Sequence, residues 1–189
     1  MILPAGFLGT RGDILMDIVV LSFLVILPVL VISWRFARAG EYRRHRGIQV
    51  SLAVVLAIVV ALFEADLKLS GGIFALTSQS SYAGTNLLNG LIYGHMLVAV
   101  GSALVWVPLV IISLRKFPKP PVPNEFGPTH RILGTLGMLL MMASGLSALP
   151  LYYLGFAASI DERHRTNDTY GNSSLWITTR LPGAPRSAL

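Results

Sequence analysis

Four long apolar stretches, separated by short polar segments, dominate the sequence of this chain. They run over residues 14–34, 48–67, 87–114 and 132–156. A bilayer core of roughly 30 Å needs about 20 apolar residues in a helix that rises about 1.5 Å per residue. The pattern therefore predicts an all-α membrane protein, an up-down bundle of four spanning helices within residues 1–158. Residues 159–189 are polar and without helical periodicity, which predicts a flexible tail.

Composition supports the membrane class and narrows the chemistry. Hydrophobic residues make up 53% of the chain and charged residues only 13%, proportions that exclude an ordinary soluble domain. The net charge is +6, but the basic residues flank the apolar stretches, so they favour anionic lipid of the bilayer as a partner rather than nucleic acid. The chain has no Cys, which excludes disulfides, thiolate metal sites and cysteine nucleophiles.

The distribution of positive charge predicts the orientation. The loops after the first and third stretches, with the residues that flank them, contain nine basic residues: Arg35, Arg38, Arg43, Arg44, Arg46, Arg115, Lys116, Lys119 and Arg131. The short segments on the other side contain Arg11 and Lys68. Because basic loops stay in the cytoplasm, we expect a multi-pass protein of the cell (inner) membrane with both termini on the non-cytoplasmic side. The first residues have no basic region typical of a signal peptide.

Ionisable residues inside apolar spans are candidate functional sites, because burying them without a partner costs free energy. Glu64 and His95 each lie roughly 26 to 28 Å along their helices from the basic end, at about 1.5 Å per residue. This matched depth predicts that they pair, as a neutral hydrogen-bonded pair, a proton relay or part of a metal site. A simpler alternative is a neutral His95 bonded to a neighbouring helix. Lys68 shares the helix face of Glu64, whereas Asp66 is about 200° away and is expected to point elsewhere.

A second candidate site is formed by His45 and His130, which open the second and fourth spans. These spans lie diagonally across an up-down bundle, so the two imidazoles can face each other across its axis. They could bind a haem iron or another metal, with Arg46 and Arg131 near haem propionates or lipid phosphates. The alternative is that these residues only anchor helices in the headgroup region. His95 is a third candidate haem or metal ligand.

Other ligand types and motifs carry less weight. His164 lies in the tail and is discounted as a ligand. Met138, Met141 and Met142 could bind Cu(I), but Met in a lipid-embedded helix usually packs, so copper is a weaker candidate than haem. The sequence contains no GxSxG or HExxH motif and no phosphate-binding glycine loop after a strand. We therefore assign no catalytic residue, and an enzyme of soluble substrates is disfavoured.

Several short motifs together resemble a known family. His-Arg opens the second and fourth spans, FEADLKL ends the second, a single His lies in the third, and a Phe-Pro-rich loop follows it. In this order they resemble the membrane family catalogued as domain of unknown function 420, over roughly residues 7–156. Some members of that family are thought to serve as maturation factors for haem-copper cytochrome c oxidases.

The resemblance implies an accessory or assembly factor of a respiratory haem-copper oxidase or a similar electron-transfer complex, with that complex's membrane subunits as partners. One alternative is a haem-binding electron-transfer or haem-modifying membrane protein. Another is a small proton-coupled carrier that uses Glu64 and His95. Four spans without inverted repeats count against the carrier.

Overall fold

The computed structural model describes residues 3–158, and this part of the chain is helical, as the sequence predicts. Its elements are α1 (Ile14–Arg38), α2 (Tyr42–Leu69), the short α3 (Ile73–Leu76), α4 (Asn86–Lys116), α5 (Gly127–Tyr152) and a π-helical turn (Tyr153–Ala157). The four long helices are those predicted as spans, and each is long and apolar enough to cross a membrane. The prediction of a flexible tail concerns residues 159–189, which lie outside the described residues.

The four long helices alternate in direction around the bundle. Helix α1 packs against α2 and α5, α4 packs mainly against α5, and α2 and α4 touch only slightly. Helices α2 and α5 therefore lie on one diagonal. We call the end at which α1 and α4 finish and α2 and α5 begin the arginine end, and the opposite end the aspartate end. The up-down arrangement predicted from the sequence is confirmed.

The outer surface of the bundle is apolar. Leu97 and Leu104 lie in the middle part of α4 and are 75% and 70% exposed, and Ile132 lies near the start of α5 and is 70% exposed. A soluble protein of this size does not display such an extensive apolar surface, whereas a bilayer solvates it. The chain is accordingly a multi-pass membrane protein.

The helix starts follow from local sequence signals. Asp13 accepts a hydrogen bond from the backbone N–H of Met16 at 2.9 Å and so caps α1. Thr85 caps α4 in the same way through Leu88, at 3.3 Å. Pro128 lies in the first turn of α5, where its missing N–H has no intrahelical partner to lose. Helices α1, α4 and α5 thus begin where the sequence satisfies or removes an unpaired backbone donor, whereas the side chain of Glu41 makes no capping hydrogen bond at the start of α2.

Small residues let α5 approach its neighbours. A Cβ atom at Gly145 would lie 2.8 Å from Leu27 in α1, and one at Gly137 would lie 3.5 Å from Trp106 in α4. The central core is formed by Ile26, Leu30, Leu56, Trp106 and Met141, and a second cluster near the aspartate end by Leu88, Ile92 and Leu151. Met141 is therefore a packing residue. At these two positions the absence of a side chain allows the close helix contacts that small residues commonly permit in membranes.

Candidate functional site

A histidine pair lies at the arginine end of the bundle. His45 in the first turn of α2 and His130 in the first turn of α5 place their ring centroids 6.2 Å apart, with the ring planes at 79°. Both side chains are half-buried. The structure thus brings together the two residues that the diagonal arrangement of the second and fourth spans predicts to face each other.

Hydrogen bonds to α1 determine the tautomer of His45. Its Nδ1 atom lies 3.0 Å from the carbonyl oxygen of Ser33 and 3.0 Å from the hydroxyl of the same residue. A carbonyl oxygen can only accept, so Nδ1 carries the hydrogen and the neutral ring keeps a lone pair on Nε2. Metal-binding histidines are commonly held in this way, with one ring N–H donated to a backbone carbonyl and the other nitrogen left for the metal.

His130 is held by the helix that precedes it. Its Nδ1 atom lies 2.9 Å from the hydroxyl oxygen of Ser113, in the last turns of α4. Phe117, where α4 ends, and Phe126, where α5 begins, pack around the ring at centroid distances of 5.2 Å and 6.1 Å. One nitrogen of this imidazole is thus within hydrogen-bond distance of a serine hydroxyl, and two phenylalanine rings pack against the imidazole on the side of the loop between α4 and α5.

A chain of hydrogen bonds supports His45 from the core. Trp106 in α4 donates from Nε1 to Oε1 of Gln49 at 2.8 Å, and Gln49 donates from Nε2 to the Ser33 hydroxyl at 3.0 Å. Trp Nε1 can only donate, so this contact determines the orientation of the Gln49 amide. The sequence analysis missed these supporting residues. The available signal was the spacing of His45 and Gln49, which are four residues apart and therefore share a helix face.

The two predicted propionate or phosphate contacts differ in their surroundings. Arg46 donates from Nη1 to the carbonyl oxygen of Pro118 at 3.2 Å and so contacts the loop between α4 and α5. The side chain of Arg131 is exposed. Both guanidinium groups belong to the arginine end, because each follows one of the paired histidines directly in sequence. Their positive charge favours an anionic group near that pair.

His95 takes a different partner from the one predicted. Its Nδ1 atom lies 3.0 Å from Oγ of Ser147, which itself donates to the Ser144 carbonyl at 3.0 Å. The Ser147 hydroxyl therefore accepts from His95, while Glu64 and Lys68 are exposed on α2. The expected Glu64–His95 pair is not formed: within residues 3–158, no hydrogen bond or ion pair joins them. The matched depth of Glu64 and His95 in the membrane does not bring them into contact, because α4 packs mainly against α5 and only slightly against α2.

Asp66 is the acidic residue of α2 that is buried. Its side chain is 6% exposed and lies beside those of Asp13 and Ser70. Asp66 and Glu64 lie on different faces of α2, as their positions along the helix predict. The face that carries Asp66 is buried, and the face that carries Glu64 is exposed. Asp13 and Asp17 are fully buried at the start of α1. The sequence analysis did not propose them as site residues, although their spacing of four residues places both on one helix face.

The carboxylate of Asp17 is fully paired. Its Oδ2 atom accepts the backbone N–H of Leu8 at 2.7 Å, and its Oδ1 atom accepts a short hydrogen bond from the Tyr152 hydroxyl. The same hydroxyl lies 2.6 Å from Oγ1 of Thr10. These contacts tie the segment before α1 to the end of α5. Asp17 therefore closes the aspartate end structurally and has no free oxygen for a ligand.

The fold and the sites define the class: a four-helix, multi-pass membrane protein with a diagonal histidine pair at its arginine end. Comparison with family models, curated proteins and solved structures gave no match.

Proposed function

We propose that this protein is an accessory or assembly factor of a respiratory haem-copper oxidase, and that it binds haem through His45 and His130. The link to the oxidase is supported by the ordered motifs that resemble domain of unknown function 420. The haem site is supported by geometry. The observation that carries it is the separation of 6.2 Å between two imidazoles contributed by diagonal helices.

The two imidazoles would hold a haem iron through ring nitrogens. Two nitrogen ligands are also the number that a haem iron needs from a protein, because the porphyrin supplies the other four. A bare zinc ion would need three or four protein ligands. The pair therefore fits haem better than a free metal ion.

The surrounding residues would hold and orient the group. The Ser33 carbonyl keeps Nε2 of His45 available, and the Trp106–Gln49 contact holds the Ser33 hydroxyl in position. Arg46 and Arg131 supply charge for propionates. When bound, haem would supply a redox-active iron, whose potential would depend on its protein ligands and on their hydrogen bonds and burial.

The proposal includes a cellular setting. The nine basic residues of the two loops favour a cytoplasmic location for the arginine end, and with it for the histidine pair, with both termini outside. The membrane is the cell (inner) membrane, and the partners are membrane subunits of the respiratory complex. A haem-binding electron-transfer protein, which would work without an oxidase, is the second candidate because it would need the same histidine pair.

The test is titration of the purified, detergent-solubilised protein with haemin. The parent should develop the low-spin spectrum of an iron with two imidazole ligands. His45→Ala and His130→Ala should each abolish or shift that spectrum but still insert into the membrane, because insertion depends on apolar length. His95→Ala is the matched control, since this imidazole is bonded to Ser147 away from the pair, and it should leave the spectrum unchanged.

Two results separate the candidates. If the parent spectrum is retained in both His45→Ala and His130→Ala, the pair does not bind haem and the proposed site is wrong. If the pair binds haem but deletion of the gene leaves oxidase activity in membranes unchanged, the accessory role is wrong and the electron-transfer alternative is favoured. Loss of oxidase activity that is restored by the parent but not by the two alanine variants would support the complete proposal.

A further inference from the structure

Two carboxyl groups lie side by side at the aspartate end without enough donors to satisfy them. Asp13 is fully buried and Asp66 is 6% exposed. The Oδ2 atom of each has no hydrogen-bond partner and no contact with water, and the nearby hydroxyl of Ser70 is buried in the same way. Buried polar atoms are normally paired, so unpaired oxygens on adjacent acids call for a physical explanation.

The two acids belong to different helices. Asp13 precedes α1 and is held there because its Oδ1 atom caps the helix through Met16. Asp66 lies in the last turn of α2, which is antiparallel to α1. Their contact therefore joins the beginning of one spanning helix to the end of the next. Whatever satisfies the two Oδ2 atoms also holds these helix ends together.

No basic side chain of residues 3–158 pairs with these acids, and the amino group of the chain acts on Asp66 more weakly than burial and Asp13 do. Asp17 adds a further carboxylate, already satisfied by Leu8 and by Tyr152 of α5. Arg11 directs its guanidinium to the carbonyl oxygen of Gly155 at 3.4 Å. Glu64 and Lys68 are exposed on α2. Within residues 3–158, no ion pair reaches Asp13 or Asp66.

Two ionised carboxylates in contact, both shielded from water, are strongly unfavourable, so the pair requires a proton or a metal cation. A calcium ion takes six to eight oxygen ligands, as a rule partly from water. The two Oδ2 atoms are closed to water, and two carboxyls with one hydroxyl are too few ligands. A single proton needs no additional ligand and pairs both oxygens at once.

We propose that Asp13 and Asp66 form a proton-binding site, in which one proton taken up from water is shared between their two carboxyl groups. One carboxylic acid donates to the other carboxylate, so the pair carries one negative charge instead of two. The shared proton links α1 to α2. Raising the pH removes it, leaves two adjacent buried charges, and weakens this link between the helices.

Infrared spectroscopy of the parent protein tests the site directly. A protonated carboxyl absorbs at a C=O stretching frequency distinct from that of carboxylates and shifts on deuteration. The parent should show such a band, and the band should disappear as the buffer is made alkaline. Asp66→Asn should lose it. Glu64→Gln, which removes an exposed acid from the same helix, should retain it.

Thermal unfolding gives a second, independent readout. The midpoint of the parent should fall by several degrees from mildly acidic to mildly alkaline buffer. Asp66→Asn should flatten this dependence without loss of helix content, because the neutral amide can donate to Asp13 as the shared proton does. Glu64→Gln should keep the slope of the parent.

Three results would overturn the proposal. The first is the absence of a protonated-carboxyl band in the parent at every pH. The second is a slope in Asp66→Asn equal to that of the parent. The third is a rise of the parent's midpoint on adding calcium at constant pH that is lost in Asp66→Asn, which would identify a cation site instead. If Asp66→Asn does not fold, the proposal is tested in the same way with Asp13→Asn and with the pH dependence of the protonated-carboxyl band in the parent.

Discussion

Gly145 is a position where α5 approaches α1 closely, and replacing it by alanine should destabilise the bundle. A Cβ atom there would lie 2.8 Å from Cδ2 of Leu27 and 3.0 Å from Cδ1 of Phe23. Non-bonded carbon atoms prefer separations of about 3.5 to 4.0 Å. Both side chains must therefore move, and with them the contact between the helices. Gly94 in α4 is a suitable control, because a Cβ atom there would meet nothing within 4 Å.

The magnitude follows from two opposing contributions. In a helix, alanine is more favourable than glycine by about 1 kcal/mol, and Gly94→Ala should gain this amount. Gly145→Ala gains the same amount but also overpacks the contact, which typically costs about 1 to 3 kcal/mol. The difference between the two variants isolates the overpacking. For a chain of this length it corresponds to midpoints that differ by about 2 to 12 °C.

The assay is thermal unfolding of the parent and both variants in one detergent, followed by circular dichroism. Gly145→Val adds two further carbon atoms at the contact and should lower the midpoint more than Gly145→Ala. Equal changes in midpoint for Gly145→Ala and Gly94→Ala would refute the reasoning, because they would show that α1 and α5 do not meet closely at Gly145.

Two further predictions concern the supporting network and the orientation. Trp106→Phe removes the donor to Gln49 and should lower the free energy of unfolding by about 1 to 3 kcal/mol, measured beside Trp34→Phe, whose half-exposed ring makes no such hydrogen bond; equal effects would contradict the network. A reporter active only in the cytoplasm should work when inserted between Pro118 and Pro128 and fail after Ser159, and the opposite pattern would reverse the proposed orientation.

The sequence predicted the helices well for a physical reason. A spanning helix satisfies its own backbone hydrogen bonds, so apolar length alone identifies it in lipid. The predicted spans 14–34 and 87–114 lie within α1 and α4. The helices extend beyond the predicted spans at their polar ends. Helix α2, for example, begins at Tyr42, whereas its span was predicted to begin at residue 48. Apolar length gives no information about a polar helical turn beyond the bilayer core.

The histidine pair was predictable and the acidic site was not. His45 and His130 open two helices of the same direction, so chain order alone places them at one end of the bundle. To predict whether Glu64 pairs with His95, the rotation of α2 about its own axis must be known in addition to the depth of both residues. That rotation buries Asp66 and exposes Glu64. Two residues along a helix change the direction of a side chain by about 200°.

The sequence by itself determined the number of long helices, their apolar spans and their alternating direction, and therefore the approximate depth of the residues within those spans. The tertiary structure decided which faces meet. It directs His95 to Ser147, links Trp106 through Gln49 to the support of His45, and brings Asp13 against Asp66. Depth follows from counting residues at a fixed rise, whereas lateral contacts depend on the packing of side chains from several helices at once.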